Sequence, residues 1–181
     1  AVQGSGTIEL TSSIALSDQV TIDSGKTIIL DMNGETLSIG FSDSSKNLIV
    51  NNGTLTITGD GTFDATEATS YKGFINNYGT LTVENGTFQI ADKAMTVHLR
   101  NQDGGKAVIN GGTFSGGATI VRSFEGSNTT ITGGSFTNSV YPAVDVNGET
   151  LITGGIFTNT SCSRCDSQNW GYTVRSGVDN D

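Results

Sequence analysis

Five segments of this chain end on a phenylalanine and share a ten-residue pattern, to which the first adds one residue. They close at Phe63 (GTLTITGDGTF), Phe88 (GTLTVENGTF), Phe114 (GKAVINGGTF), Phe136 (SNTTITGGSF) and Phe157 (GETLITGGIF). The phenylalanines are 25, 26, 22 and 21 residues apart. A repeat of that size, with insertions of varying length, marks a solenoid in which each repeat adds one coil and the insertions become loops.

Inside each repeat the side chains alternate. Leu55 and Ile57, Leu81 and Val83, Ala107 and Ile109, Thr129 and Ile131, and Thr150 and Ile152 share one face. Thr56, Thr82, Val108, Thr130 and Leu151 share the other. A period of two makes each segment a strand with one face inward. The pairs Asp60-Gly61, Asn85-Gly86, Gly111-Gly112, Gly133-Gly134 and Gly154-Gly155 precede the closing residues. Such pairs reach positive φ at little cost, so the chain bends there and the phenylalanine re-enters the core. Equivalent residues recur in the same order once per coil, which suits parallel in-register stacking rather than the hairpins of an antiparallel sandwich. Stacked coils about 4.8 Å apart would lay the phenylalanines one over another as a ladder.

A second strand follows each phenylalanine, over 74–77, 96–100, 119–122 and 143–147. The loops before these strands differ in length, as at 64–72 and 89–94, and are expected on one side of the solenoid, where specificity would reside. Residues 1–50 follow the same grammar less regularly, with strands expected at 6–10, 19–23, 27–32, 35–39 and 47–51 and a tight turn at Asn33-Gly34. They read as two further coils behind a capping start. From Thr158 the repeat lapses, and 158–181 reads as an irregular C-terminal cap. The expectation is one all-β domain over 1–181: a right-handed parallel β-helix, a single-stranded solenoid of about seven coils, with regular repeats over 51–157.

Composition agrees: 26 Thr, 25 Gly and 15 Asn stand against a single Pro among 181 residues. Thr suits a pleated strand, Gly and Asn a tight turn. The formal charge of −9, with nine dispersed basic residues, argues against nucleic acid as a partner. No apolar run approaches the roughly 20 residues that span a bilayer, so membrane insertion is not expected. The start, Ala1-Val2-Gln3-Gly4, has neither the basic nor the apolar stretch of a signal peptide.

The stretches GKTIILDMNGETLSI (25–39) and NNGTLTITGDGTF (51–63), with the later NGGTF and TGGSF units, resemble the parallel β-helix repeats of bacterial secreted and surface proteins. These are adhesin-like and related in architecture to pectate lyases. The resemblance covers roughly residues 5–157 and implies a right-handed parallel β-helix exported to the cell surface or the medium. It is specific for architecture and weak for activity, because one fold hosts many functions.

Candidate sites are sparse. His98 and Arg100 are expected to share a face of one strand, with Arg122 one coil along and Asp145 and Arg175 beyond. Asp145 stands without the two or three further carboxylates a calcium ion requires. Asp60 and Glu84 lie near one turn, within the range a glycosidase pair would need, yet turn carboxylates usually face solvent. Cys162 and Cys165 form a CxxC with neither a second pair nor a nearby histidine for zinc, so a local disulfide pinning the cap is expected if the protein is exported. A flat ice-binding Thr array is broken by Val108 and Leu151 in one row and by Glu84 in the next. Asn51, Asn52, Asn76, Asn77, Asn101 and Asn147 precede coil starts and suit structural ladders. Tyr71, Tyr78, Tyr141 and Trp170 are candidates for stacking on sugars.

No catalytic, cofactor-binding or metal-binding residue is assigned. The expected role is a non-enzymatic structural or adhesive module, secreted or at the cell surface. Its expected partners are further copies of itself in a head-to-tail filament, or a surface protein or glycan. The alternative is a carbohydrate-active β-helix, a lyase or a glycan binder.

Overall fold

The computed structural model describes residues 4–41, 43, 45–67, 73–91, 96–138, 141–159 and 174–176. The chain winds as a parallel β-solenoid, three strands to the coil. The first sheet contains β1 (Gly6–Glu9), β4 (Thr27–Asp31), β7 (Thr54–Thr58), β10 (Thr80–Val83), β13 (Lys106–Ile109), β16 (Asn128–Ile131) and β19 (Glu149–Ile152). The second contains β2 (Ile14–Leu16), β5 (Thr36–Ile39), β8 (Thr62–Ala65), β11 (Thr87–Ile90), β14 (Thr113–Ser115), β17 (Ser135–Asn138) and β20 (Ile156–Asn159). The third contains β3 (Val20–Ile22), β6 (Ile49–Asn51), β9 (Ile75–Asn77), β12 (Val97–Asn101), β15 (Thr119–Ser123), β18 (Val144–Val146) and β21 (Val174–Ser176). Each sheet is seven strands deep, so about six full turns separate the first rung from the last.

The expected register holds. Leu81 pairs with Leu55 and Ala107, and Val83 with Ile57 and Ile109, all in parallel strands. The phenylalanines pair rung by rung from Phe63 to Phe157. Their rings stack nearly flat, with centroids 4.6, 4.5, 5.0 and 4.7 Å apart and planes within 9°. Parallel rings at such centroid separations fall in the range of offset stacking that aromatic pairs favour. Strand spacing sets the separation here, and two further rings pack from the side. Phe74 meets Phe63 and Phe88 edge-on at 6.1 and 6.3 Å, and His98 meets Phe114 edge-on at 6.0 Å.

Two features differ from the sequence reading. Each phenylalanine, read as re-entering the core after a bend, lies within a strand of its own, which makes a third sheet. At the other end, the chain returns to the third sheet at β21, which pairs in parallel with β18, although the repeat is unrecognisable in sequence after Thr158. Residues 160–173 and 177–181 of the expected cap lie outside the described residues.

In the three later repeats, the turn before the phenylalanine divides labour between its two glycines. A Cβ on Gly111 would run into the Glu84 carbonyl oxygen of the coil below, so the first glycine permits close stacking. Gly112 has φ of 98°, so the second permits the bend. The connections that vary in length, 40–48, 66–74, 91–96, 116–118 and 139–143, all join the second sheet to the third, at one corner of the coil.

The third sheet also carries a polar ladder inside the core. Asn51 Nδ2 donates to Asn77 Oδ1 at 2.7 Å, Asn77 Nδ2 to Asn101 Oδ1 at 2.8 Å, and Asn101 Nδ2 to Thr129 Oγ1 at 2.9 Å. The same amides also reach the backbone carbonyls of Thr80, Lys106 and Asn128, which turns a costly burial into a satisfied network. Asn52 and Asn147 are exposed and stand outside this ladder.

Candidate functional site

The outward column of the third sheet concentrates the candidates. Val50, Asn76, Arg100, Arg122, Asp145 and Arg175 occupy the same register position on successive strands. Arg122 Nε donates to Asp145 Oδ2 at 2.9 Å. Asp145 is 8% exposed, and its other oxygen, Oδ1, is buried with no hydrogen-bond partner among the described residues. Arg100 is half-buried one rung before Arg122. Burial and then the Arg122 charge hold its guanidinium below the ordinary value, which still leaves it protonated at neutral pH.

Beside these guanidinia runs a neutral strip. Gln102 Nε2 donates to Asn76 Oδ1 at 2.6 Å, and Asn76 Nδ2 donates to the Tyr78 hydroxyl oxygen at 3.3 Å. Tyr78 leaves 47% of its surface in solvent. The sequence reading noticed Tyr78 and Asn76 separately and missed Gln102. Their assembly could have been found only by laying strand β9 against β12, one coil apart.

His98 does not share a face with Arg100, contrary to expectation. Strand β12 starts as the chain leaves the corner, and Val97, His98 and Leu99 are all buried before alternation resumes at Arg100. The residues entering the neighbouring strands, Phe74, Ile120 and Ala143, are buried as well. The His98 ring lies 5.5 Å from Phe74, with Nε2 3.1 Å from the Gly116 carbonyl and Nδ1 unpartnered. Burial drives its pKa down to about 4, so it is a neutral member of the core at pH 7.

The remaining candidates do not converge. Asp60 accepts from Asn85 Nδ2 at 2.6 Å and Glu84 from Asn110 Nδ2 at 3.0 Å, and both carboxylates are exposed. Among the described residues, no group of three or more His, Cys, Asp or Glu side chains could hold a metal ion. Nor is any helix there long and apolar enough to cross a membrane. The outward row Thr56, Thr82, Val108, Thr130 and Leu151 stands in register as expected. Tyr141 is partly exposed. Cys162, Cys165, Tyr71 and Trp170 lie outside the described residues, as does the side chain of Arg175.

A second feature lies at the N-terminal pole. Among the described residues, strands β1, β2 and β3 each pair on one side only. Ile8 and Ile14 point along the inner columns yet are each 41% exposed, because no described coil covers them. Below them opens a hollow of about 180 Å³, lined only by aliphatic side chains including Leu10, Leu16, Val20 and Ile22.

No family model, no curated protein and no solved structure matches this chain. What the residues and the coordinates establish together is a parallel β-solenoid.

Proposed function

We propose that this chain is a non-enzymatic structural or adhesive module of a bacterial surface or secreted protein, extending end to end with copies of itself. The observation that carries the reading is the apolar N-terminal pole, where among the described residues nothing lies over Ile8 and Ile14. Unpaired parallel edges beside exposed aliphatic columns suit the addition of a further parallel coil. The resemblance of the repeats to adhesin-like surface proteins supports the setting.

The occupant that suits the pole is the last coil of a second copy. Among the described residues, the column that begins at Ile14 and Leu37 ends at Phe157, and the column that begins at Ile8 and Leu30 ends at Ile152. Stacking one copy's last coil under another's first therefore brings Phe157 against Ile14 and Ile152 against Ile8, apolar against apolar. It also continues the hydrogen-bond ladders in register. Such a contact is heterologous and does not close, so it propagates as a fibre.

The test is electron microscopy of the purified chain with and without a charge at the pole. Fibres are expected with an axial repeat of about 34 Å, seven strand spacings per copy. The double substitution Ile8→Lys and Ile14→Lys should leave monomers of unchanged circular dichroism. Wild-type protein that stays monomeric at high concentration would sink the reading.

A further inference from the structure

Five asparagines in this chain are followed directly by glycine: Asn33, Asn52, Asn85, Asn110 and Asn147. In such a pair the glycine nitrogen can attack the asparagine side-chain carbonyl carbon, because the glycine carries no side chain to obstruct the approach. The attack needs a nitrogen whose hydrogen is not held by an acceptor, and an asparagine side chain free to turn toward it. The five pairs differ in both respects.

Three of them are closed by hydrogen bonding. The Gly34 amide donates to the Asp60 carbonyl of the next coil, the Gly53 amide to Asn51 Oδ1 at 3.2 Å, and the Gly148 amide to the Ser123 carbonyl at 3.2 Å. Asn110-Gly111 is closed by packing. The Asn110 side chain is held at both ends, Nδ2 donating to Glu84 Oε2 at 3.0 Å and Oδ1 accepting from Thr132 Oγ1 at 2.8 Å. A Cβ on Gly111 would stand 2.4 Å from the Glu84 carbonyl oxygen, so the backbone has no room to shift.

Asn85-Gly86 is open on every count. It lies in the corner between the first and second sheets, where the chain leaves the hydrogen-bond ladder for two residues. Glu84 donates to the Ile57 carbonyl at 2.9 Å and Thr87 to the Gly61 carbonyl at 2.8 Å. Between them the Gly86 amide has no acceptor among the described residues, which include both adjoining turns. A Cβ there would meet nothing closer than 3.4 Å. Asn85 is exposed, and one hydrogen bond tethers its side chain, Nδ2 to Asp60 Oδ1 at 2.6 Å. The other regular repeats carry Asp60, Gly111, Gly133 and Gly154 at this place, so Asn85 is the one asparagine among them.

We infer that Asn85 is a modification site, converting spontaneously with Gly86 through a succinimide to aspartate and isoaspartate. The Gly86 nitrogen gives its proton to solvent and bonds to Asn85 Cγ, the Cγ–Nδ2 bond breaks, and Nδ2 leaves as ammonia after taking up a proton. Water then opens the imide, and no oxidant or reductant is needed. Opening at Cγ leaves aspartate, whose carboxylate faces Asp60 in place of the Nδ2 donor. Opening at the backbone carbonyl leaves isoaspartate, which adds a methylene to the main chain shortly before Phe88. Either product disturbs the turn that sets Phe88 in its stack, so the solenoid ages from this corner. The inference is independent of end-to-end stacking, which uses the pole.

Ageing the purified full chain in mildly alkaline buffer, with peptide mapping by mass spectrometry, tests it. Acid at position 85 should accumulate roughly tenfold faster than at Asn33, Asn52, Asn110 or Asn147, the rate equivalent of a hydrogen bond that need not be broken. An isoaspartyl methyltransferase should label the same peptide. In urea the five pairs should react at similar rates, because the selection comes from the fold. Asn85→Gly supplies the residue that later repeats carry at this place, so the turn is kept. The variant should hold its melting temperature on ageing while that of the wild type drifts down. Equal rates at the five pairs in the folded chain, faster reaction at another pair, or an Asn85 that stays intact while the urea sample reacts would overturn the inference.

Discussion

The central coils and the first coil use the same columns under opposite circumstances. From Phe88 to Phe136 each ring has a ring above and below within 5.0 Å and is at most 2% exposed. In the first coil the same column holds Ile14, which has Leu37 on one side and, among the described residues, nothing on the other. The residue type changes from aromatic to aliphatic, but the larger change is the loss of one neighbour. In a solenoid the worth of an inward side chain depends on whether both adjacent rungs exist, because each coil buries its face only against the next.

The largest effect expected from this contrast lies in the middle. Phe88→Ala should cost about 3–5 kcal/mol in urea unfolding, since it empties a site closed on every side. A cost below about 1 kcal/mol would mean that the column collapses over the gap and that the stack is not the spine.

Next comes the acid sensitivity of the core beside that stack. His98 is held at about 4 by burial, against an ordinary 6.5, so the unfolded chain takes up a proton at higher pH than the folded one. Its contribution is therefore intact above pH 6.5, falls as the pH drops towards 4, and levels off below. Roughly 3 kcal/mol is the upper scale of the loss. His98→Leu should flatten this part of the stability profile relative to wild type. Identical slopes for the two proteins between pH 6.5 and 4 would contradict the buried, neutral imidazole.

The smallest effect belongs to the pole. Ile14→Ala in the monomer should cost about 1 kcal/mol or less, because the side chain is already well exposed. Under conditions where fibres form the same change should cost more, as the neighbouring copy supplies the missing rung. An equal cost in monomer and fibre would erase the difference between the two regions.

Much of the fold could be read along the chain. The phenylalanine spacing and the alternation of Leu55, Thr56 and Ile57 specify a parallel strand and its inward face without reference to anything distant. The Asn33-Gly34 turn was legible for the same reason, and the structure places both residues at positive φ, 47° and 79°. Strand β2 was not legible, because Ile14-Ala15-Leu16 is too short to display a period. His98 was misplaced because alternation was extended through a corner, where the backbone turns two successive side chains inward. The strip of Asn76, Tyr78 and Gln102 beside Arg100 was invisible for a different reason: Arg100 and Gln102 come from the coil after Asn76 and Tyr78, and the two pairs meet only when the coils are stacked.

The sequence by itself determined the winding, the inward columns and the glycine-marked bends, since each depends on neighbours a few residues away and recurs once per coil. Only the tertiary structure decided that the phenylalanines form a sheet of their own, that His98 belongs to the core, and that three arginines share one column on the flank. Those outcomes depend on where each corner falls and on how coils of unequal length come into register. That register is set by hydrogen bonding between strands more than twenty residues apart.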